Sequence, residues 1–96
     1  MTYSLVIKPE AELDILNSVK WYEEKQAELG LRFLEAVESK IKSISSNPLL
    51  YQVRYKNTRL ALTRTFPYAI HFILEENRIV ILAVLGTKEN PAKWHI

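Results

Sequence analysis

A chain of 96 residues, 48% hydrophobic and with only two glycines, makes one small domain over residues 1–96 with a thin margin of stability. The absence of cysteine rules out disulfides and thiolate chemistry and fits a reducing cytoplasm, and no apolar stretch approaches the ~20 residues that cross a bilayer. The net charge is only +2 but is unevenly placed, with six Lys/Arg against eight Asp/Glu over residues 1–51 and seven against three over residues 52–96.

The start, Met1-Thr2-Tyr3-Ser4-Leu5, has no basic segment before a long apolar run, so no signal peptide is read. Tyr3 to Lys8 alternates around Leu5 and Ile7 and predicts a short strand. Pro9 ends it and suits a first helical turn, where its missing N–H is no loss, and Glu10, Glu12 and Asp14 favour the positive end of that helix. Ala11, Ile15, Val19 and Tyr22 form one helical face, with Trp21 at its edge. Gly30 breaks the pattern and is expected as a C-cap or hinge. A second helix is expected from about Leu31 to Ser45, with the stripe Phe33, Val37, Ile41, Ile44, and Ser45-Ser46-Asn47-Pro48 stops it. These stripes read as core, not as a cofactor box, and the two helices as an αα-hairpin.

From Val53 the period changes to two. Val53 to Thr65 predicts a strand with an interruption near Asn57-Thr58, and Phe66, Tyr68, Ile70, Phe72 and Leu74 alternate along the next. Glu75-Glu76-Asn77 is a turn, and Ile79 to Leu85 is apolar on both faces, as a central strand is. The three strands are expected as an antiparallel meander, and Lys88 to Ile96 as a flexible tail broken at Pro91. The fold class is α+β in the order β-α-α-β-β-β: a helical hairpin on one face of a small antiparallel sheet, with the other face open.

Between Gln52 and Leu74 stand Arg54, Lys56, Arg59 and Arg64 with no acid among them, followed by Phe66-Pro67-Tyr68. Cations at fixed spacing on strands suit phosphates or an acidic partner. Few other chemistries are on offer. The only histidines, His71 and His95, have no carboxylates at metal-ligand spacing, and two glycines cannot build a phosphate loop, so no metal and no cofactor is expected. His71, in mid-strand, reads as structural, and His95 as part of the terminus. RNA cleavage by 2′-OH attack needs a base, phosphorane stabilisation and an acid. Arginine and lysine supply the second, and a lysine with its pKa lowered by neighbouring cations could supply the first. No residue is clearly placed as base or as acid.

The chain resembles the RelE/ParE superfamily of type II toxin–antitoxin toxins, of the plasmid stabilisation type. The resemblance runs through Pro9-Glu10-Ala11-Glu12-Leu13-Asp14-Ile15, Trp21-Tyr22-Glu23, Leu29-Gly30, Phe33, Asn47-Pro48 and Arg59. It continues through Phe66-Pro67-Tyr68, Ile70, Ala83-Val84-Leu85, Asn90-Pro91 and Trp94. It implies a small cytoplasmic toxin masked by a neighbouring antitoxin. RelE-like members are ribosome-dependent endoribonucleases that cut mRNA, and ParE-like members poison DNA gyrase. The resemblance places Arg54, Lys56, Arg59 and Arg64 where RelE-like enzymes contact phosphate, Lys88 near a late family arginine, and Trp94-His95 where a terminal aromatic or histidine acts. Many members carry a histidine, and an arginine two residues on, just after the last strand; here those positions are Gly86 and Lys88. Trp94 cannot act as an acid as tyrosine can, because its N–H only donates.

The expectation is therefore a ParE-like toxin that inhibits growth by poisoning DNA gyrase. The alternatives are a ribosome-dependent mRNA endoribonuclease, with Arg59, Arg64, Lys56 and His95 as its catalytic candidates, and a degenerate, non-toxic module that only binds antitoxin. Arg54, Lys56, Arg59, Arg64, Tyr68, Lys88 and Trp94 are the candidate target- or nucleic-acid-binding residues. The expected partner is an acidic, disordered antitoxin segment that folds as a helix on the basic sheet face, in a toxin–antitoxin hetero-oligomer or with a homodimer of this chain, and with no membrane.

Overall fold

A computed structural model describes residues 3–96; Met1 and Thr2, the first residues of the stretch read for a leader, lie outside the described residues. Strand β1 (Ser4–Ile7) is followed by helices α1 (Pro9–Lys25) and α2 (Leu29–Ser46), a 3₁₀ turn at Pro48–Leu50, and strands β2 (Val53–Tyr55), β3 (Thr58–Leu62), β4 (Tyr68–Glu75) and β5 (Arg78–Gly86). The expected order holds with one strand more, because the run from Val53 folds back at Lys56-Asn57, where Lys56 takes a positive φ of 48°.

The helices form where the apolar period is 3.6. Pro9 opens α1, with Glu10 and Glu12 in its first turn. Ala11 is buried, and Ile15, Val19 and Tyr22 pack against the core. In α2 the stripe Phe33, Val37, Ile41 and Ile44 is buried along its length. Gly30 is neither cap nor hinge. The chain turns earlier, through Glu28 at φ 72°, and Gly30 lies inside the first turn of α2, buried against α1. Its role is close approach: a Cβ there would stand 2.6 Å from the Val19 carbonyl oxygen. The turn is capped from the facing helix, since the Glu23 carboxylate accepts from the Glu28 N–H at 2.9 Å and the Gly30 N–H at 3.0 Å. Two of the donors that a helix start leaves unpaired are thereby satisfied.

The sheet order is β1-β5-β4-β3-β2, with β1 parallel to β5 and every other pair antiparallel. β5 is interior to the sheet, as its two apolar faces predicted. Directly opposed residues share a face. Ala61, Ile70 and Val84 therefore stand in one row on the helix side, and Leu60, His71 and Ala83 in one row on the far side. The register shifts after His71, which pairs with Ala83 while Phe72 pairs with Ile81, leaving Leu82 as the extra residue of a bulge. Phe33, Val37, Ile44, Ile70, Phe72, Ile79 and Ile81 fill the space between hairpin and sheet.

Candidate functional site

Phe66-Pro67-Tyr68 is first of all a packing element. Phe66 and Tyr68 meet Phe33 edge-on, with centroids 5.4 and 4.8 Å away, and Tyr22 stacks on Phe33 at 5.2 Å. Tyr68 opposes Gly86 across β4 and β5. Because Gly86 has no side chain, a groove of about 390 Å³ opens there, lined by Asn17, Trp21, Tyr22, Pro67, Tyr68 and Lys88. Trp21, 52% exposed, forms its aromatic wall, with the Lys25 ammonium 4.9 Å from the ring centroid. The groove runs into a second hollow of about 290 Å³, where Asp14, Asn17, Tyr68, Glu89, Lys93 and His95 meet.

Asp14 organises that hollow. β1 stops opposite Ile81, so among the described residues the outer edge of β5 beyond it has no strand neighbour. The Asp14 carboxylate covers the gap, accepting from the Val84 N–H at 3.0 Å while the same oxygen lies 2.8 Å from His95 Nε2. This ties the C-terminal segment to α1 across 81 positions of sequence.

Residues 88–96, read above as a tail, return under the far face of the sheet. The Trp94 ring stands edge-on over His71 at 4.8 Å and 5.8 Å from the Tyr55 ring. The far face expected to be open is thus covered at its centre, because His71 and its apolar neighbours Ala69, Ala83 and Leu85 need covering from water. His71 is 1% exposed, and its Nδ1 lies 2.7 Å from the Tyr55 hydroxyl. Burial lowers its pKa to about 4, the Asp14 charge opposing the shift and His95 adding to it. Burial also raises the Tyr55 pKa. Both groups are therefore neutral near pH 7, and the tyrosine hydroxyl and the imidazole Nδ1 share one hydrogen bond. The Trp94 Nε1 is buried without a hydrogen-bond partner among the described residues.

The four strand cations are not brought together. Arg54 is exposed at the irregularity of β2, and Lys56 is exposed in the β2–β3 turn. Arg59 opposes Phe72, so it stands on the helix side, half-buried, donating to the Tyr51 carbonyl. Arg64 lies beyond β3 in a loop bordering α2. The reason is local: strand alternation sends Arg59 to the core side, and two turns carry Lys56 and Arg64 off the sheet. Tyr68, Lys88 and His95 do border the two hollows at the end of β5, whereas Trp94 lines neither and packs on His71. Sequence reasoning missed Asp14, Asn17 and Trp21 as their companions; the signal available was an exposed tryptophan and a carboxylate on one side of an otherwise apolar-faced helix.

A helical hairpin on a five-stranded sheet of this order is the fold of type II toxin–antitoxin toxins of the ParE/RelE kind. A chain of the chromosomal ParDE TA system from P. aeruginosa superposes with a TM-score of 0.81 at 16% identity, covering 91% of this chain and 98% of that one. A chain of the toxin–antitoxin complex RelBE2 from Mycobacterium tuberculosis superposes at 0.61 with 17% identity, covering 90% and 99%. No curated protein matches significantly. The family described as the ParE toxin of the type II toxin–antitoxin system, parDE, matches residues 5–91, and the chain belongs to that family.

Proposed function

We propose that this toxin inhibits growth by binding a protein target, DNA gyrase, without cutting RNA itself, and that a cognate antitoxin masks it. The observation that supports this reading is the separation of the groups a nuclease would need together. Arg59 is spent on the Tyr51 carbonyl on the helix side of the sheet, whereas His95 stands at the edge of β5. The hollow around His95 holds two carboxylates, Asp14 and Glu89, against one lysine, Lys93, a balance that does not favour phosphate. The neighbouring groove, with Trp21, Tyr68 and Gly86, has the shape and the aromatic wall of a protein-binding surface.

One observation favours the nuclease as a second reading: Asp14 orients His95 at 2.8 Å, the arrangement of a general base, with Tyr68 and Lys93 in the same hollow. The test is to add purified protein to gyrase supercoiling reactions and, in parallel, to translating ribosomes with a labelled mRNA. The expected result is inhibited supercoiling and intact mRNA. Cleaved mRNA that His95→Ala abolishes, with supercoiling untouched, would replace the first reading with the second.

A further inference from the structure

The sheet ends in two edges, and they are built differently. An edge strand presents unpaired N–H and C=O groups that another strand can take up, and soluble proteins blunt such edges with charged side chains and irregular register. β2 is blunted in both ways: its register on β3 is irregular, and Arg54 within it and Lys56 just after it are exposed. β1 has neither device. Ser4-Leu5-Val6-Ile7 carries no charge, and Leu5 and Val6 are 40% and 37% exposed.

The hydrogen bonds of β1 show which of its groups are available. The Ser4 N–H donates to the Asn77 carbonyl at 2.9 Å and the Lys8 N–H to the Ile81 carbonyl at 3.0 Å, so the even-numbered residues turn their backbone groups toward β5. The N–H and C=O of Leu5 and Ile7 therefore point outward, where no strand of the described residues pairs with them. The side chains alternate too. Leu5 lies in line with Ile79 and Leu74, and Ile7 with Ile81 and Phe72, all on the helix side, whereas Val6 lies on the far side in line with Val80 and Ile73.

Opposite charges stand at the two ends of this edge. Ser4 borders a hollow of about 520 Å³ together with Glu75, Glu76, Asn77 and Arg78. Glu75 is paired with Arg78 at 2.8 Å, but Glu76 is in no ion pair among the described residues. At the other end Lys8 is exposed and also unpaired among the described residues. A strand with an acid at its start and a base at its end complements a second copy of itself running antiparallel. We propose that the outer edge of β1 pairs antiparallel with β1 of a second copy of this chain, joining the two sheets across a twofold axis. One register satisfies the outward groups and the charges together. Leu5 faces Ile7 of the second copy as a hydrogen-bonded pair, Val6 meets its own counterpart on the axis, and Lys8 of the second copy stands opposite Ser4, at the mouth of the hollow that holds Glu76. The twofold repeats each of these contacts, and the apolar rows through Ile79 and Ile81 run on into the second sheet. The pairing is independent of the target proposed above.

The test is sedimentation velocity of the purified full chain from about 1 μM to about 500 μM, a range that covers small, weakly associating interfaces. The expected result is a sedimentation coefficient that rises with concentration to that of a dimer. Leu5→Pro removes an outward N–H and no bond to β5, so that variant should keep its circular dichroism spectrum and stay monomeric. Val6→Lys sets like charges face to face on the axis and should weaken association by about ten-fold or more. Lys8→Glu should also weaken it, and adding Glu76→Lys to that variant should restore most of the loss, because the exchanged charges meet again across the axis. If Leu5→Pro loses its fold, Val6→Lys and the charge exchange decide. A chain that stays monomeric over the whole range would overturn the proposal. So would a dimer that Val6→Lys leaves intact, or a charge exchange that associates no better than Lys8→Glu alone.

Discussion

Gly30→Ala sets two effects against each other. Alanine is the better helix former by ~1 kcal/mol, and position 30 is helical, so an exposed site would be stabilised. Here the new Cβ would lie 2.6 Å from the Val19 carbonyl oxygen, and 3.0 and 3.1 Å from Glu23 Oε1 and Cβ. Glu23 is a flexible side chain and can swing aside, but only by giving up its bonds to Glu28 and Gly30. The Val19 oxygen is backbone and cannot move alone. To reach ordinary contact at 3.4 Å the helices must part by 0.8 Å (3.4 minus 2.6), which loosens the Tyr22–Phe33 stack beside them. Overpacking of this kind costs about 1–3 kcal/mol. The clash wins: losing the Glu23 cap, about 1 kcal/mol, cancels the helix preference, so the overpacking remains as a net loss of about 1–3 kcal/mol and a fall in Tm of roughly 5–20 °C for a domain this size. Urea unfolding followed by far-UV circular dichroism measures it, with an unchanged slope showing that the comparison is of like states. A midpoint equal to or above that of the parent chain would refute the close-approach account of Gly30.

Other outcomes are expected. His71 is held near pKa 4 against an ordinary 6.5, so as pH falls through that interval the unfolded chain takes up a proton that the folded chain refuses. Stability should drop by roughly 3 kcal/mol between pH 6.5 and 4, read as urea midpoints at stepped pH, and His71→Gln should flatten the slope. Trp94→Ala uncovers His71, and its NMR-titrated pKa should move up toward 6.5; a pKa still near 4 would show that the tryptophan does not keep water out. Glu23→Ala removes the shared cap of α2 and should cost about 1 kcal/mol by thermal unfolding, with Glu23→Gln losing less. Arg59→Ala should lower stability by about 1 kcal/mol because it strands the Tyr51 carbonyl, so a loss of toxicity in that variant must be compared with Arg64→Ala, which strands nothing.

What was legible in the sequence was what periodicity encodes. The stripe Phe33, Val37, Ile41, Ile44 turned out buried, and Ile79 to Leu85 became an interior strand, because burial repeats at the spacing of the backbone. Gly30 was misread because glycine at a helix end and glycine at a helix crossing look alike locally; only the facing Val19 carbonyl tells them apart. The functional surface was less legible for the same reason. Arg54, Lys56, Arg59 and Arg64 are close in sequence, but two turns and one alternation send them to different sides of the molecule. Asp14 and His95, in contrast, meet across nearly the whole chain length, which no local pattern announces.

The dispersal of the cations has a consequence for how this chain works. A catalytic centre needs base, acid and charge stabilisation within a few ångströms of one reacting atom, and this fold spends its half-buried arginine and its buried histidine on structure. What it leaves exposed at the end of β5 is an aromatic groove, floored by a residue with no side chain. The groove is backed by the aromatic cluster of Tyr22, Phe33, Phe66 and Tyr68. That cluster joins both helices to the β3–β4 loop, and two of its rings, Tyr22 and Tyr68, line the groove, so the groove wall is set by core packing and not by mobile surface side chains.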